Sequence, residues 1–265
     1  MEPTPVNYSS LSIIGSGGLV GFMLGLLGGG GSILATPLLL YVVGLAQPHV
    51  AIGTGALAVS VNAFANFAGH AIKGHVWWRC AVVFSLLGIV GALAGSSLGK
   101  AMDGDHLIFL FGILMLVVGV LMLKPKKAVA AECRPVDLRM CLATGAVALA
   151  AGATSGFFGI GGGFLIVPGL RLATGMPMIN AVGTSLLSVG VFGLATALNY
   201  ASSGLVDWWL AAEFIGGGLI GGTFGMLLAA RLSAYKNVLN RLFAVLVFVV
   251  AGYILYRNAG PFLPR

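Results

Sequence analysis

The chemistry this chain can perform is concentrated in two glycine-rich segments. Residues 28–31 are four successive glycines followed by Ser32, and 159–163 read Gly-Ile-Gly-Gly-Gly. Each glycine weakens a helix interior by about 1 kcal/mol, so a run of them breaks the helix. Pro37 and Pro168 follow a few positions later, and proline suits the first turn of a new helix. Each segment is therefore predicted to form a helix, an irregular glycine turn and a second short helix, starting near Ser32 and near Gly163. The N-terminus of such a half-helix presents unpaired N–H groups and the positive end of the helix dipole. Glycine lets an anion approach that backbone closely. Gly28, Gly29, Gly30, Gly31 and Ser32, with Gly161, Gly162 and Gly163, are thus candidate anion ligands. Soluble nucleotide-binding loops are also glycine-rich, but no strand pattern or P-loop lysine accompanies these.

The apolar segment after each glycine turn is polar on one side. The first carries Thr54, Ser60, Asn62, Asn66 and His70; the second carries Thr184, Ser185, Ser188, Thr196, Asn199 and Tyr200. Asn62, Asn66 and His70 are spaced by four and share a helix face. Thr54, Asn62, Asn66, Thr184, Ser185 and Ser188 join the candidate substrate ligands, with interhelical hydrogen bonding as the alternative role. Glu213 lies in a later apolar run, after Asp207-Trp208-Trp209. An ionisable residue in a span is a functional candidate, so His70 and Glu213 are candidates for proton coupling. His49, His75 and His106 read as loop histidines. His70 and His75 do not share a helical face, which argues against a metal pair. Cys80, Cys133 and Cys141 form no C-x-x-C motif, so neither a disulfide nor a metal site is expected. No Ser/His/Asp order or paired carboxylates suggest an enzyme, and no cofactor is expected.

The elements that must position these groups are membrane helices. Of 265 residues, 58% are hydrophobic and 8% charged, against roughly 25% charged in soluble domains. Eight apolar stretches, about 11–45, 50–72, 78–99, 107–123, 140–175, 179–201, 208–230 and 238–256, stand out, most near the ~20 residues that cross a bilayer. The net charge of +7 comes from basic residues between these runs, where they orient a membrane protein rather than bind nucleic acid. Met1 to Ser10 hold Glu2 and no Lys or Arg; without a basic n-region, the first apolar run is expected to remain in the mature protein.

The two halves repeat each other. Gly21, Gly25, Gly28, Gly30, Gly31 and Pro37 align with Gly152, Gly156, Gly159, Gly161, Gly162 and Pro168. Gly53-Thr54 aligns with Gly183-Thr184, Gly74 with Gly204, and Trp78 with Trp208; Gly91 and Gly95 align with Gly221 and Gly225. This gives a first membrane repeat at 1–123, a linker at 124–139 and a second membrane repeat at 140–265. If each opening stretch enters and returns, the repeats are inverted. Eleven of the 14 Lys and Arg then share the linker's side, leaving Lys100, Arg257 and Arg265 opposite. If each opening stretch crosses once, the split is nine to five, a poorer fit to the positive-inside rule. The expected architecture is all-α, with two inverted repeats of a glycine-broken opening pair plus three spans, up to ten helical segments. The linker is cytoplasmic and both termini lie outside.

The motif Gly-x-x-x-Gly-x-x-Gly-Gly-Gly-Gly-Ser-x-x-x-x-Pro from Gly21, its echo Gly-Phe-Phe-Gly-Ile-Gly-Gly-Gly-Phe-Leu-Ile-Val-Pro from Gly156, and Gly183-Thr184-Ser185-Leu186 resemble the TauE/SafE family of membrane permeases, the sulfite exporters. The resemblance spans both halves. It implies an inner-membrane secondary transporter that exports sulfite, a sulfonate or a related organosulfur anion. The first copy reads Gly53-Thr54-Gly55 where the second has Gly-Thr-Ser, which sets Gly55 apart from a shared ligating role. A small-carboxylate transporter of the same fold and a passive anion channel remain as alternatives.

Overall fold

The computed structural model describes residues 9–123, 138–163, 165–167, 170, 176, 178–231 and 236–258. The linker residues 124–137 and Pro168 lie outside them. The described residues are helical, without strands. The helices are α1 (Ser10–Leu27), α2 (Ala35–Leu38), α3 (Pro48–Ile72), α4 (Trp78–Ala101), α5 (Gly104–Leu123), α6 (Leu138–Phe158), α7 (Met178–Ala201), α8 (Trp208–Arg231) and α9 (Lys236–Asn258). Four of these, α3, α4, α7 and α8, are long and apolar enough to cross a membrane. Large side chains such as Leu86, Leu198, Phe224 and Tyr256 are exposed on the outer faces, as a bilayer solvent requires.

The glycine run breaks the opening helix as predicted. α1 ends at Gly28, whose φ of 73° is left-handed and costs glycine little. The chain continues as a 3-10 helix through Gly28–Leu34, so Ser32 falls inside that tighter turn. Regular helix begins only at Ala35. A π turn at Leu39–Val43 closes the segment at Gly44, φ 90°.

Glycine also sets which helices touch. A Cβ on Gly17, Gly21 or Gly25 of α1 would overlap the backbone of Phe214, Gly218 or Gly222 of α8. Gly152 and Gly156 of α6 meet Gly88 and Ala92 of α4 in the same way. Residue numbers rise together along both seams, so α1 runs parallel to α8 and α6 parallel to α4. Without a hydrophobic drive between helices in lipid, close backbone approach supplies the attraction.

The other central pair is antiparallel. Gly53 of α3 lies against Tyr200 and Leu205, Ser60 donates to the Gly190 carbonyl at 2.7 Å, and Gly183 of α7 lies against His70 and His75. The same contacts appear from either repeat. The Asp207 N–H donates to Thr54 Oγ1 (3.0 Å) and the Trp77 N–H to Thr184 Oγ1 (3.1 Å). Gly74 and Gly204 are left-handed, at φ 70° and 69°, and turn the chain after α3 and α7 alike. A two-fold exchange of the halves therefore relates these contacts.

These directions require the opening to be a hairpin. α8 is antiparallel to α7, to which the short turn 202–207 joins it, so α8 runs with α3. α1 runs with α8, hence with α3, and 28–47 must travel back between them. Tyr41 confirms the return: its ring packs edge-on to Tyr253, 5.2 Å between centroids, and its hydroxyl accepts from Asn258 Nδ2 at 2.9 Å near the end of α9. The starts of α1 and α3 thus share one end of the bundle with the turns 102–103 and 202–207. The turn 73–77 and the start of α6 lie at the other end.

The seam makes opposite predictions for two glycines of one helix. Gly15 has nothing within 4 Å of an added Cβ, so Gly15→Ala should stabilise by up to about 1 kcal/mol. Gly21→Ala pushes into the Gly218 backbone and should destabilise by roughly 1–3 kcal/mol. Thermal unfolding of the two purified variants in detergent checks the sign of each.

Candidate functional site

The two glycine turns meet in the interior. A Cβ on Gly29 would overlap the Cα of Gly163, and one on Gly163 would overlap the Cα of Gly29. Gly159, Gly161 and Gly162 have φ of 67°, 65° and 65°, conformations that a side chain makes strained. Gly28–Ser32 and Gly159–Gly163 are buried. Val59 and Val189, equivalent residues of α3 and α7, flank Gly161; Val182 covers Gly28 and Ile52 covers Gly159. Ser32 Oγ donates to the Gly29 carbonyl at 2.7 Å. The Gly162 carbonyl accepts from Leu165 N–H (2.9 Å) and Ile166 N–H (3.1 Å), starting the second half-helix as expected.

The structure places the other predicted residues in different settings. Thr54 and Thr184 use their hydroxyls to pin the turns before α8 and α4. Ser185 bonds back to the Val182 carbonyl at 2.8 Å, and Ser188 pairs with Ser85 at 3.0 Å. Asn62 differs from all of these. It is fully buried against Gly218 of α8, and both polar atoms of its amide lack a hydrogen-bond partner. Asn66 Nδ2 donates to the Asn62 carbonyl at 2.9 Å, and its amide lies beside Gly222. In the second repeat, the place of Asn62 is taken by Phe192, which stacks on Phe84 at 6.2 Å and fills the space at Gly88.

Glu213 lies at the end of the bundle where α1 starts. Its Oε1 accepts from Ser10 Oγ at 3.2 Å, and Oε2 is buried without a partner. His70 and His75 come together, with ring centroids 6.0 Å apart, although they share no helical face. The left-handed Gly74 reverses the chain and returns His75 toward the helix. Sequence reasoning also passed over Ser155 and Thr36, whose buried hydroxyls lack partners. Ser155 lies beside Gly162, and its position four residues before Gly159 was a usable signal.

A cleft of ≈ 510 Å³ opens at the terminus end, lined among others by His49, Met102, Asp103, Asp105 and Leu205. A hydrogen bond with the His106 ring at 3.1 Å holds the exposed Asp103 carboxyl below its ordinary range. Among the described residues, no three His, Cys, Asp or Glu side chains cluster to hold a metal.

The profile of the family described as "Sulfite exporter TauE/SafE" matches residues 13–254. A "Probable membrane transporter protein" of Xylella fastidiosa strain 9a5c is 62% identical over 251 residues, covering 94% of this chain and 96% of the relative. The "Probable membrane transporter protein YunE" of Bacillus subtilis strain 168 is 27% identical, covering 88% and 91%. No solved structure matches the chain.

The unpartnered Asn62 amide can be tested without a ligand. A buried polar group without a partner costs about 1–3 kcal/mol. Asn62→Leu keeps the branched shape and removes that cost, so thermal unfolding of the ligand-free protein should move upward. An unchanged or lower midpoint would mean that the amide is already satisfied.

Proposed function

The chain belongs to the sulfite exporter TauE/SafE family and is a multi-pass membrane transport protein rather than an enzyme, and we propose that it carries sulfite or a sulfonate by alternating access. The observation that carries this reading is the backbone contact between the two glycine turns at Gly29 and Gly163. A desolvated anion needs strong compensation. Helix N-termini provide it from the backbone, through N–H groups and the dipole. Glycine at the left-handed positions leaves those N–H groups unshielded by a side chain of their own, and Val182, Ile52, Val59 and Val189 are the neighbours an anion has to displace. Compact oxyanions have the oxygen geometry for several N–H donors at once.

Broken helices meeting at the interface of inverted repeats are a recurring transporter arrangement. The antiparallel α3/α7 pair and the return of 28–47 support inverted repeats here. In this arrangement the linker and the turn 73–77 are cytoplasmic, and both termini and the turn 202–207 face outward. The basic Lys73 and Arg79 at one end, and Asp103, Asp105 and Asp207 at the other, favour that orientation in the inner membrane.

Radiolabelled sulfite flux into proteoliposomes tests the site. Gly161→Val should reduce flux to that of empty liposomes, because its Cβ meets Val189 and Val59 and the turn is strained. Gly161→Ala serves as the milder variant if the valine fails to fold. Ser32→Ala should cost only a few-fold, since backbone donors survive it. Normal flux in Gly161→Val, with binding lost on truncating Glu213 and His70, would instead assign the anion to side chains. Topology has its own test on a cysteine-free background. Lys73→Cys and Ser202→Cys should be labelled by an impermeant thiol reagent from opposite faces of the membrane; labelling from one face would end the inverted arrangement.

A further inference from the structure

The two ends of the pathway are closed by equivalent residues of different chemistry. At the terminus end, Ile52 covers Gly159 and forms a small buried cluster with Tyr200 and Leu107. Met102 and Leu205 pack on that cluster and line the cleft. An apolar plug thus separates the cleft from the second glycine turn. The repeat supplies the matching residues at the linker end. Val182 covers Gly28 as Ile52 covers Gly159, His70 occupies the place of Tyr200, and His75 that of Leu205. The backbone is the same at both ends: His75 N–H donates to the His70 carbonyl and Leu205 N–H to the Tyr200 carbonyl, each at 3.0 Å. Only the side chains have diverged, and two imidazoles stand where the other end has a phenol and an isobutyl group.

We propose that His70 and His75 form a proton-operated gate at the linker end, through which an oxyanion reaches the first glycine turn. The inference rests on the transport reading above. The rings lie 6.0 Å apart, and Nδ1 of each is buried without a hydrogen-bond partner. Neutral imidazoles can close together there as the apolar plug does. Protonating both places two cations side by side, and among the described residues no carboxylate lies at that end to offset them; Glu132 and Asp137 belong to the linker, outside the described residues. Lys73 is on the connecting turn, Arg79 and Cys80 open α4, and 178–189 of α7 hold no titratable residue. Arg171 and Arg231 have side chains outside the described residues and are themselves basic. The described carboxylates, Asp103, Asp105, Asp207 and Glu213, belong to the terminus end. Repulsion then parts the rings, and an entering anion supplies the missing countercharge. Proton and oxyanion binding are coupled by this arrangement.

The test places a cysteine at Val182, over Gly28, in the cysteine-free protein, with Ile52→Cys as the terminus-end control. Thiol-labelling rates are measured from about pH 8 down to about pH 4.5, well below the ordinary histidine range, and corrected for thiolate fraction with Ser202→Cys. Labelling at Val182→Cys should rise several-fold as pH falls, while Ile52→Cys stays flat once His49, whose ring lies 6.3 Å from that of Tyr200, is replaced by His49→Gln. Introducing the other end's own residues, His70→Tyr with His75→Leu, should abolish the rise; His70→Gln with His75→Gln serves if that pair does not fold. A flat profile at Val182→Cys, or an undiminished rise in the double variants, overturns the gate. Sulfite flux is measured on the same preparations. Its absence beside a pH-dependent Val182→Cys would refute the substrate reading and leave the gate standing.

Discussion

The contact of Gly29 with Gly163 is the constraint on which the rest of the structure depends. Irregular backbone survives at membrane depth only where protein or a cavity surrounds it. Two such turns can shelter each other only if neither carries a Cβ at the point of contact. To reach that point, α1 and α6 must each stop inside the bundle, and after α1 the chain returns through 28–47. The returning segment 28–47 then needs room between α1 and α3. The glycine seams of α1 with α8 and of α6 with α4 hold the opening helices of one repeat against the other, so the halves cannot separate without exposing the turns.

Much of this was legible in the sequence because glycine reports backbone geometry directly. The breaks at 28–31 and 159–163 follow from the glycine positions, and the all-helical architecture follows from the apolar runs. Side-chain roles were less legible. Thr54 and Thr184 carry the same signature as substrate ligands, yet their hydroxyls accept from the backbone of Asp207 and Trp77. Hydrogen bonds between segments far apart in the chain leave no local pattern. The proximity of His70 and His75 was missed because helical-face reasoning stops at the end of α3, whereas the turn at Gly74 begins there. Ser32 was placed at the start of a half-helix, but a 3-10 turn precedes the regular helix at Ala35, a distinction that propensity does not make.

The departures from two-fold exchange are as informative as the exchange. Asn62 against Gly218 faces Phe192 against Gly88 across the repeat; one side keeps an unpartnered amide, the other a stacked aromatic pair. His70 and His75 stand opposite Tyr200 and Leu205. In the proposed alternating-access reading, a duplicated scaffold supplies two equivalent conformations, and these single-sided differences distinguish one from the other.

The central claim is that a small oxyanion binds between the two glycine turns. Selenite, a pyramidal oxyanion like sulfite, carries an anomalous scatterer, so a crystal of the protein grown with selenite locates it directly. The account predicts an anomalous peak between the Gly29 and Gly163 turns, within hydrogen-bonding reach of their backbone N–H groups, absent from crystals of Gly161→Ala. A peak confined to the cleft beside Asp103 and Asp105, or held by side chains remote from both turns, would contradict it.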